Sequence, residues 1–114
     1  MAAQYVPDRG DVLLIDFSPQ VGHEQSGSRP AVVLSPANYN GKVGLVVLCP
    51  ITSQIKGYPF EVPIPDGYKV QGVILSDQVK SLDWGTRRAK FLCKLPIEIT
   101  QGVMKKLGLL ITFS

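Results

Sequence analysis

A chain of 114 residues, 45% hydrophobic and carrying a net charge of +3, can bury one core and is too apolar for disorder, so a single domain over 1–114 is expected. No apolar run approaches the roughly 20 residues that cross a bilayer, and "MAAQYVPDRGD" lacks the basic and apolar regions of a signal peptide, which favours the cytoplasm. Cys49 and Cys93 lie far apart in apolar segments without a CxxC pair, and since cytosolic disulfides are rare, both are expected as buried free thiols.

In chain order, "DVLLIDF" (11–17), "AVVLS" (31–35), "VGLVVLCPIT" (43–52), "FEVPI" (60–64), "GVILS" (72–76) and "AKFLCKL" (89–95) are short and rich in Val, Ile and Leu. The turn signals "NYNGK", "IKGYP", "PDGY" and "DWGT" separate them. Short strands with no intervening helical pattern predict a mainly β fold, a small barrel or sandwich. Pro50 falls late in the third run, so pairing should end or bulge there. After Pro96, which suits a first helical turn, Ile99, Val103, Leu107, Leu110 and Ile111 share one face of a C-terminal helix. Gly102 and Gly108 weaken that helix, which must depend on packing.

Charge is unevenly placed. Seven of the twelve basic residues (Lys80, Arg87, Arg88, Lys90, Lys94, Lys105, Lys106) follow one another with only Asp83 and Glu98 among them. Such a face concentrates polyanions, or it is simply solvated. The glycine-punctuated "GHEQSGSRPAVVLSP" sets Arg29 against a proline and an apolar run, beside the only histidine, His23.

Several chemistries lack their residues. His23, Cys49 and Cys93 make no recognisable zinc cluster, and "HEQSG" has no second histidine to complete HExxH. A GxSxG elbow, a P-loop and GxGxxG are all missing, and the nine acids stand singly, unlike the carboxylate clusters of metal-dependent nucleases. No metal or cofactor is expected. Arginine, hydroxyl, imidazole and lone carboxylates remain. That set suits RNA cleavage by the substrate's own 2′-hydroxyl, where preformed donors must stabilise charge developing on phosphate.

The stretches "YVPDRGDVLLIDFSPQVGHEQSGSRPAVVLSP", "YNGKVGLVVLCPITSQIKGYPFEV" and "GVILSDQVKSLDW" resemble the MazF/PemK (ChpB-like) toxin family of sequence-specific endoribonucleases, nearest its MazF branch. The resemblance spans essentially the whole chain and rests on G-x-E-Q-x-G-x-RP and SDQVKS at this spacing. It implies an SH3-like (CcdB/PemK-like) barrel with a C-terminal helix, and a homodimer. It also implies metal-independent cleavage of single-stranded RNA to 2′,3′-cyclic phosphate and 5′-hydroxyl ends, and a cognate antitoxin whose acidic tail wraps the dimer.

Residue by residue, the resemblance gives Arg29 the part of the catalytic arginine and Thr52 that of the catalytic hydroxyl. It sets Glu24, Gln25, Lys56, Asp77 and Gln78 close to the substrate groove. Histidine and aspartate have catalytic parts in the PemK branch, and both stand here as His23 and Asp77. That branch's arginine is replaced by Leu75, which favours Arg29 with Thr52. Lys80, Arg87, Arg88 and Lys90 are expected on the RNA backbone, and Glu24, Gln25, Lys56 and Gln78 at base edges. Trp84 is either core or a stacking platform for a base. The rival class is a non-catalytic barrel that binds RNA or poisons a partner, as CcdB-like gyrase toxins do. An antitoxin would instead carry a DNA-binding part and a disordered acidic tail.

Overall fold

The computed structural model describes residues 4–18 and 27–112. In chain order these form β1 (Asp11–Asp16), β2 (Ser28–Val33), α1 (Ala37–Val43), β3 (Leu45–Thr52), β4 (Glu61–Pro63), β5 (Val73–Leu75), β6 (Lys80–Asp83), β7 (Lys90–Lys94) and α2 (Ile97–Ile111). The strand order is β4–β5–β3–β2–β1–β7, with β6 also paired to β3 and every pairing antiparallel. The mainly β fold with a C-terminal helix is as expected.

Five strands, β6–β3–β2–β1–β7, form a path whose two ends are consecutive in sequence. The turn joining them is compact, since the Ala89 N–H donates to the Trp84 carbonyl at 3.1 Å. The sheet therefore curls into a barrel. Strand alternation sends neighbouring residues to opposite faces, and both faces are covered: Val12 and Leu13 are each fully buried. Leu13, Ile15, Ala31, Val33, Val46 and Leu48 fill one side beneath Leu82, Trp84 and Ala89. Val12, Val32, Cys49, Ile51 and Ile74 fill the other, against Val103 and the half-buried Ile99, Met104 and Leu107 of α2.

The structure departs from the sequence expectations at several points. The "NYNGK" segment lies in the short helix α1, because Asn40 is buried and its amide donates to the carbonyls of Pro7 (2.7 Å) and Ser35 (3.0 Å). Strand β6 was not anticipated; "KSLD" shows no apolar alternation and is held by pairing with Leu45–Leu48. On α2, Leu110 and Ile111 extend the predicted apolar face but are exposed, as is Leu109, because the helix overhangs the core there. Pro96 caps α2 from outside its first turn. Both cysteines are free thiols, Cys49 buried and Cys93 only partly so.

Pro50 changes the partners of β3 without ending it. Ala31 opposite Pro50 is the last pair with β2, and β3 then pairs with β5 at Ile51 and Thr52. A proline has no N–H to continue a ladder. Beyond this point β2 stays with β1, with Arg29 opposite Ile15, so β2 and β3 part.

Candidate active site

The parting of β2 and β3 opens the site. Their register pairs Ala31 with Pro50 and Val32 with Cys49; Arg29 and Thr52 stand two residues beyond the last of these pairs, where the strands have separated. Both line a cleft of about 320 Å³ whose wall also includes Phe17, Ser18, Gln78 and Lys80. A second depression of about 230 Å³ adjoins it, sharing Arg29, Thr52 and Gln78 and adding Lys56, Tyr58 and Glu61. Five residues expected at the site, Arg29, Thr52, Lys56, Gln78 and Lys80, are thus brought together.

The electrostatics favour an anion. The ion pairs among the described residues are those of Lys94 with Asp8 and Asp11, so no described carboxylate pairs with Arg29, Lys56 or Lys80. Lys80 Nζ stands 5.6 Å from the centre of the Phe17 ring, a cation–π distance that leaves its donors free to turn toward the cleft. Glu61 is buried, and its carboxylate accepts the Lys56 and Gly57 N–H groups at 3.0 and 2.9 Å. That carboxylate fixes the loop bearing Lys56. The Thr52 hydroxyl accepts the Gln54 N–H at 3.1 Å, keeping its own proton available for donation.

Asp77 lies outside both linings. Its carboxylate accepts the Tyr58 hydroxyl at 2.9 Å, and desolvation together with that bond raises the pKa of the phenol, which stays neutral at physiological pH. Burial first, and then the charge of Asp77, push the Cys49 thiol up to about 12, so it is no nucleophile near pH 7. His23, Glu24 and Gln25 lie outside the described residues.

The basic cluster divides. Lys90 is exposed on β7. Arg88 lines a separate depression with Tyr5 and Trp84 that shares no residue with the cleft. Trp84 is half-buried against the barrel core and its indole N–H donates to the Asn40 carbonyl at 2.9 Å, an anchored position. Arg87, expected on the RNA backbone, turns inward instead: its Nη1 donates to the carbonyls of Asp16 (3.0 Å) and Ser18 (2.8 Å). Sequence reasoning passed over Phe17, Tyr58 and Glu61. The signal present was an aromatic at each strand margin and a lone acid in an apolar strand.

A guanidinium and a hydroxyl in one cleft, flanked by two lysines, are suited to grip a phosphodiester and donate to its oxygens. Comparison with known proteins shows the family. The family described as PemK-like, MazF-like toxin of type II toxin–antitoxin system matches residues 8–111. The endoribonuclease toxin MazF of Escherichia coli is 48% identical over 111 residues, covering 97% of this chain and 99% of its own. Endoribonuclease PemK of Escherichia coli is 32% identical, covering 92% of this chain and 82% of its own. A MazE–MazF crystal structure from Deinococcus radiodurans matches with a TM-score of 0.91 and 52% identity, over 97% of this chain and 100% of that one. The chain belongs to the PemK-like, MazF-like toxins of type II toxin–antitoxin systems.

Proposed function

We propose that this endoribonuclease toxin cuts single-stranded RNA at a phosphodiester seated between Arg29 and Thr52, with the RNA's own 2′-hydroxyl as nucleophile. The observation that carries the reading is that both residues line one cationic cleft, just beyond the point where β2 and β3 part. Arginine keeps its proton in essentially any protein setting, so Arg29 stabilises the charge gathering on the phosphate and takes no part as a base. Thr52 supplies a neutral donor on the facing wall. The 2′-oxygen gives up its proton as it bonds to phosphorus, the bond to the 5′-oxygen breaks, and that oxygen takes up a proton, leaving a 2′,3′-cyclic phosphate and a 5′-hydroxyl. Gln78, at the cleft margin, offers hydrogen bonds to base edges, while Lys56 beside it offers its charge to a phosphate.

The cognate antitoxin of such a toxin competes for the same charges. An acidic tail laid along Arg29, Lys56 and Lys80 would be matched in sign, and would block RNA by occupying its phosphate contacts. A second copy of the chain is the natural cover for the exposed Leu109, Leu110 and Ile111 beside the apolar groove of Leu34, Tyr39, Val47 and Leu107.

The test is end analysis. Labelled RNA incubated with the protein and EDTA should yield cyclic-phosphate and 5′-hydroxyl ends, while the same sequence with a single 2′-deoxynucleotide before the cut should survive. Cleavage that needs added magnesium, or 5′-phosphate ends, would defeat the mechanism.

A further inference from the structure

Strand β1 ends at Asp16, and just beyond it the Phe17 N–H donates to the Gly27 carbonyl at 2.9 Å, drawing the two segments together into a neck. Phe17, Ser18 and Gly27 at this neck form one wall of the cleft. The wall is built backbone against backbone: a β-carbon on Gly27 would lie 2.7 Å from the Ser18 nitrogen. Sheet pairing does not hold it from the β7 side, since the β1–β7 ladder stops at Leu14 opposite Lys90.

Arg87 takes over where the ladder ends. Its carbonyl accepts the Asp16 N–H at 3.1 Å, and its Nη1 returns two bonds, to the Asp16 and Ser18 carbonyls. The turn that aims it is itself secured. Asp83 Oδ1 accepts the N–H groups of Gly85 and Thr86, each at 3.0 Å, and the Asp83 carbonyl accepts that of Arg87 at 3.2 Å. A guanidinium suits the task because its fixed fork can bridge two carbonyls while losing little freedom per bond.

We propose that Arg87 is a positioning residue for RNA cleavage: it holds the Phe17–Ser18 wall in place relative to Arg29 and Thr52, and makes no phosphate contact. The inference rests on the reading of the cleft as the cutting site. A wall displaced by about 1 Å misaligns the attacking oxygen and can cost about 100-fold in rate, with the charges of Arg29, Lys56 and Lys80 still present to bind RNA.

The experiment compares wild type, Arg87→Ala, Arg87→Gln and Arg87→Lys, each checked for a cooperative thermal transition. Cleavage kinetics give kcat and KM; binding of an RNA with a 2′-deoxynucleotide at the cut, titrated over a range of salt, gives affinity and its salt slope. Arg87→Ala is expected to lose about 10- to 100-fold in kcat with KM and the log–log salt slope unchanged. Arg87→Lys, able to reach one carbonyl, should recover part of the loss. A slope flattened by about 0.7 to 1 unit would mean a phosphate contact and would overturn the proposal. So would full kcat in any folded variant without charge at position 87. If Arg87→Ala fails to fold, Arg87→Gln and Arg87→Lys decide by the same readings. Wild type that cuts no RNA would instead remove the underlying reading of the cleft.

Discussion

Gly72 lies so close to Thr52 that a β-carbon on it would stand 2.1 Å from the Thr52 carbonyl oxygen. Its φ of +116° is one that side-chain-bearing residues rarely adopt. The backbone that carries the site hydroxyl is thus packed where only glycine fits. Gly72→Ala should destabilise the protein by about 2 to 4 kcal/mol, from strain and overpacking together. Its folded fraction should cleave RNA poorly, because Thr52 must shift. Urea unfolding and cleavage rate, measured on one preparation, check both; a variant as stable and active as wild type would mean that Thr52 is placed by something else.

Substituting the two facing residues removes donors and no core. Arg29 is exposed and Thr52 only half-buried. Arg29→Ala and Thr52→Ala should each keep the wild-type transition temperature within a few degrees. Each should lose about 100- to 1,000-fold in cleavage rate, the usual consequence of deleting one preorganised donor. Retention of more than about a tenth of the rate by folded Arg29→Ala would place the chemistry elsewhere.

How much of this was legible in the sequence varies by residue. Runs such as "DVLLID" and "LVVLCPIT" announce strands, since Val, Ile and Leu at short spacing satisfy a sheet buried on both faces. "ANYNGKV" does not announce a helix. Two asparagines and a glycine favour turns, and the helix depends on Asn40 bonding to carbonyls distant in sequence. "KSLD" becomes a strand through its partner. The apolar face of α2 was legible, but periodicity does not tell how much of that face the chain itself covers; Leu110 and Ile111 lie past the end of the core. Arg29 and Thr52 stood out through their motifs, whereas their meeting in one cleft appears only once Pro50 is known to switch partners. A cluster of cations likewise hides which member turns inward, as Arg87 does.

Alkaline stability should report on Cys49. Burial, then the charge of Asp77, raise its thiol from about 9 to about 12. The contribution is fully present below pH 9. Between pH 9 and 12 the folded chain keeps a proton that the unfolded chain has lost, so stability falls as pH rises. The slope approaches about 1.4 kcal/mol per pH unit for one proton. Urea unfolding at several pH values between 8 and 11 should show that slope in wild type, and a shallower one in Cys49→Ala. Parallel curves would refute the assignment.

Self-association should depend on the overhanging end of α2. Leu109, Leu110 and Ile111 are 75%, 51% and 71% exposed, a larger apolar run than a monomer commonly leaves in water. Light scattering at micromolar concentration should give twice the chain mass, and Leu110→Glu with Ile111→Glu should shift it to the monomer. A wild-type monomer, or a double variant that remains dimeric, would count against this face.

The final prediction separates cations inside the cleft from those outside it. Lys56 and Lys80 stand beside Arg29, whereas Arg88 and Lys90 lie elsewhere, Arg88 in the depression with Trp84. Each phosphate neutralised on a single strand contributes about 0.7 to the log–log salt slope, whatever the base. Removing both Lys56 and Lys80 should therefore flatten the slope by about 1.4 units for any RNA that fills the cleft. The double variant Arg88→Ala/Lys90→Ala should be silent on a short RNA and tell only on one long enough to leave the cleft. A catalytically dead Arg29→Ala background allows affinity to be titrated without cutting, and all variants carry the same loss. If Arg88 and Lys90 flatten the slope equally for short and long RNA, the scissile phosphate is seated nearer Trp84 than Thr52. If neither length responds, Arg88 and Lys90 belong to a solvated face and the cleft supplies the phosphate contacts.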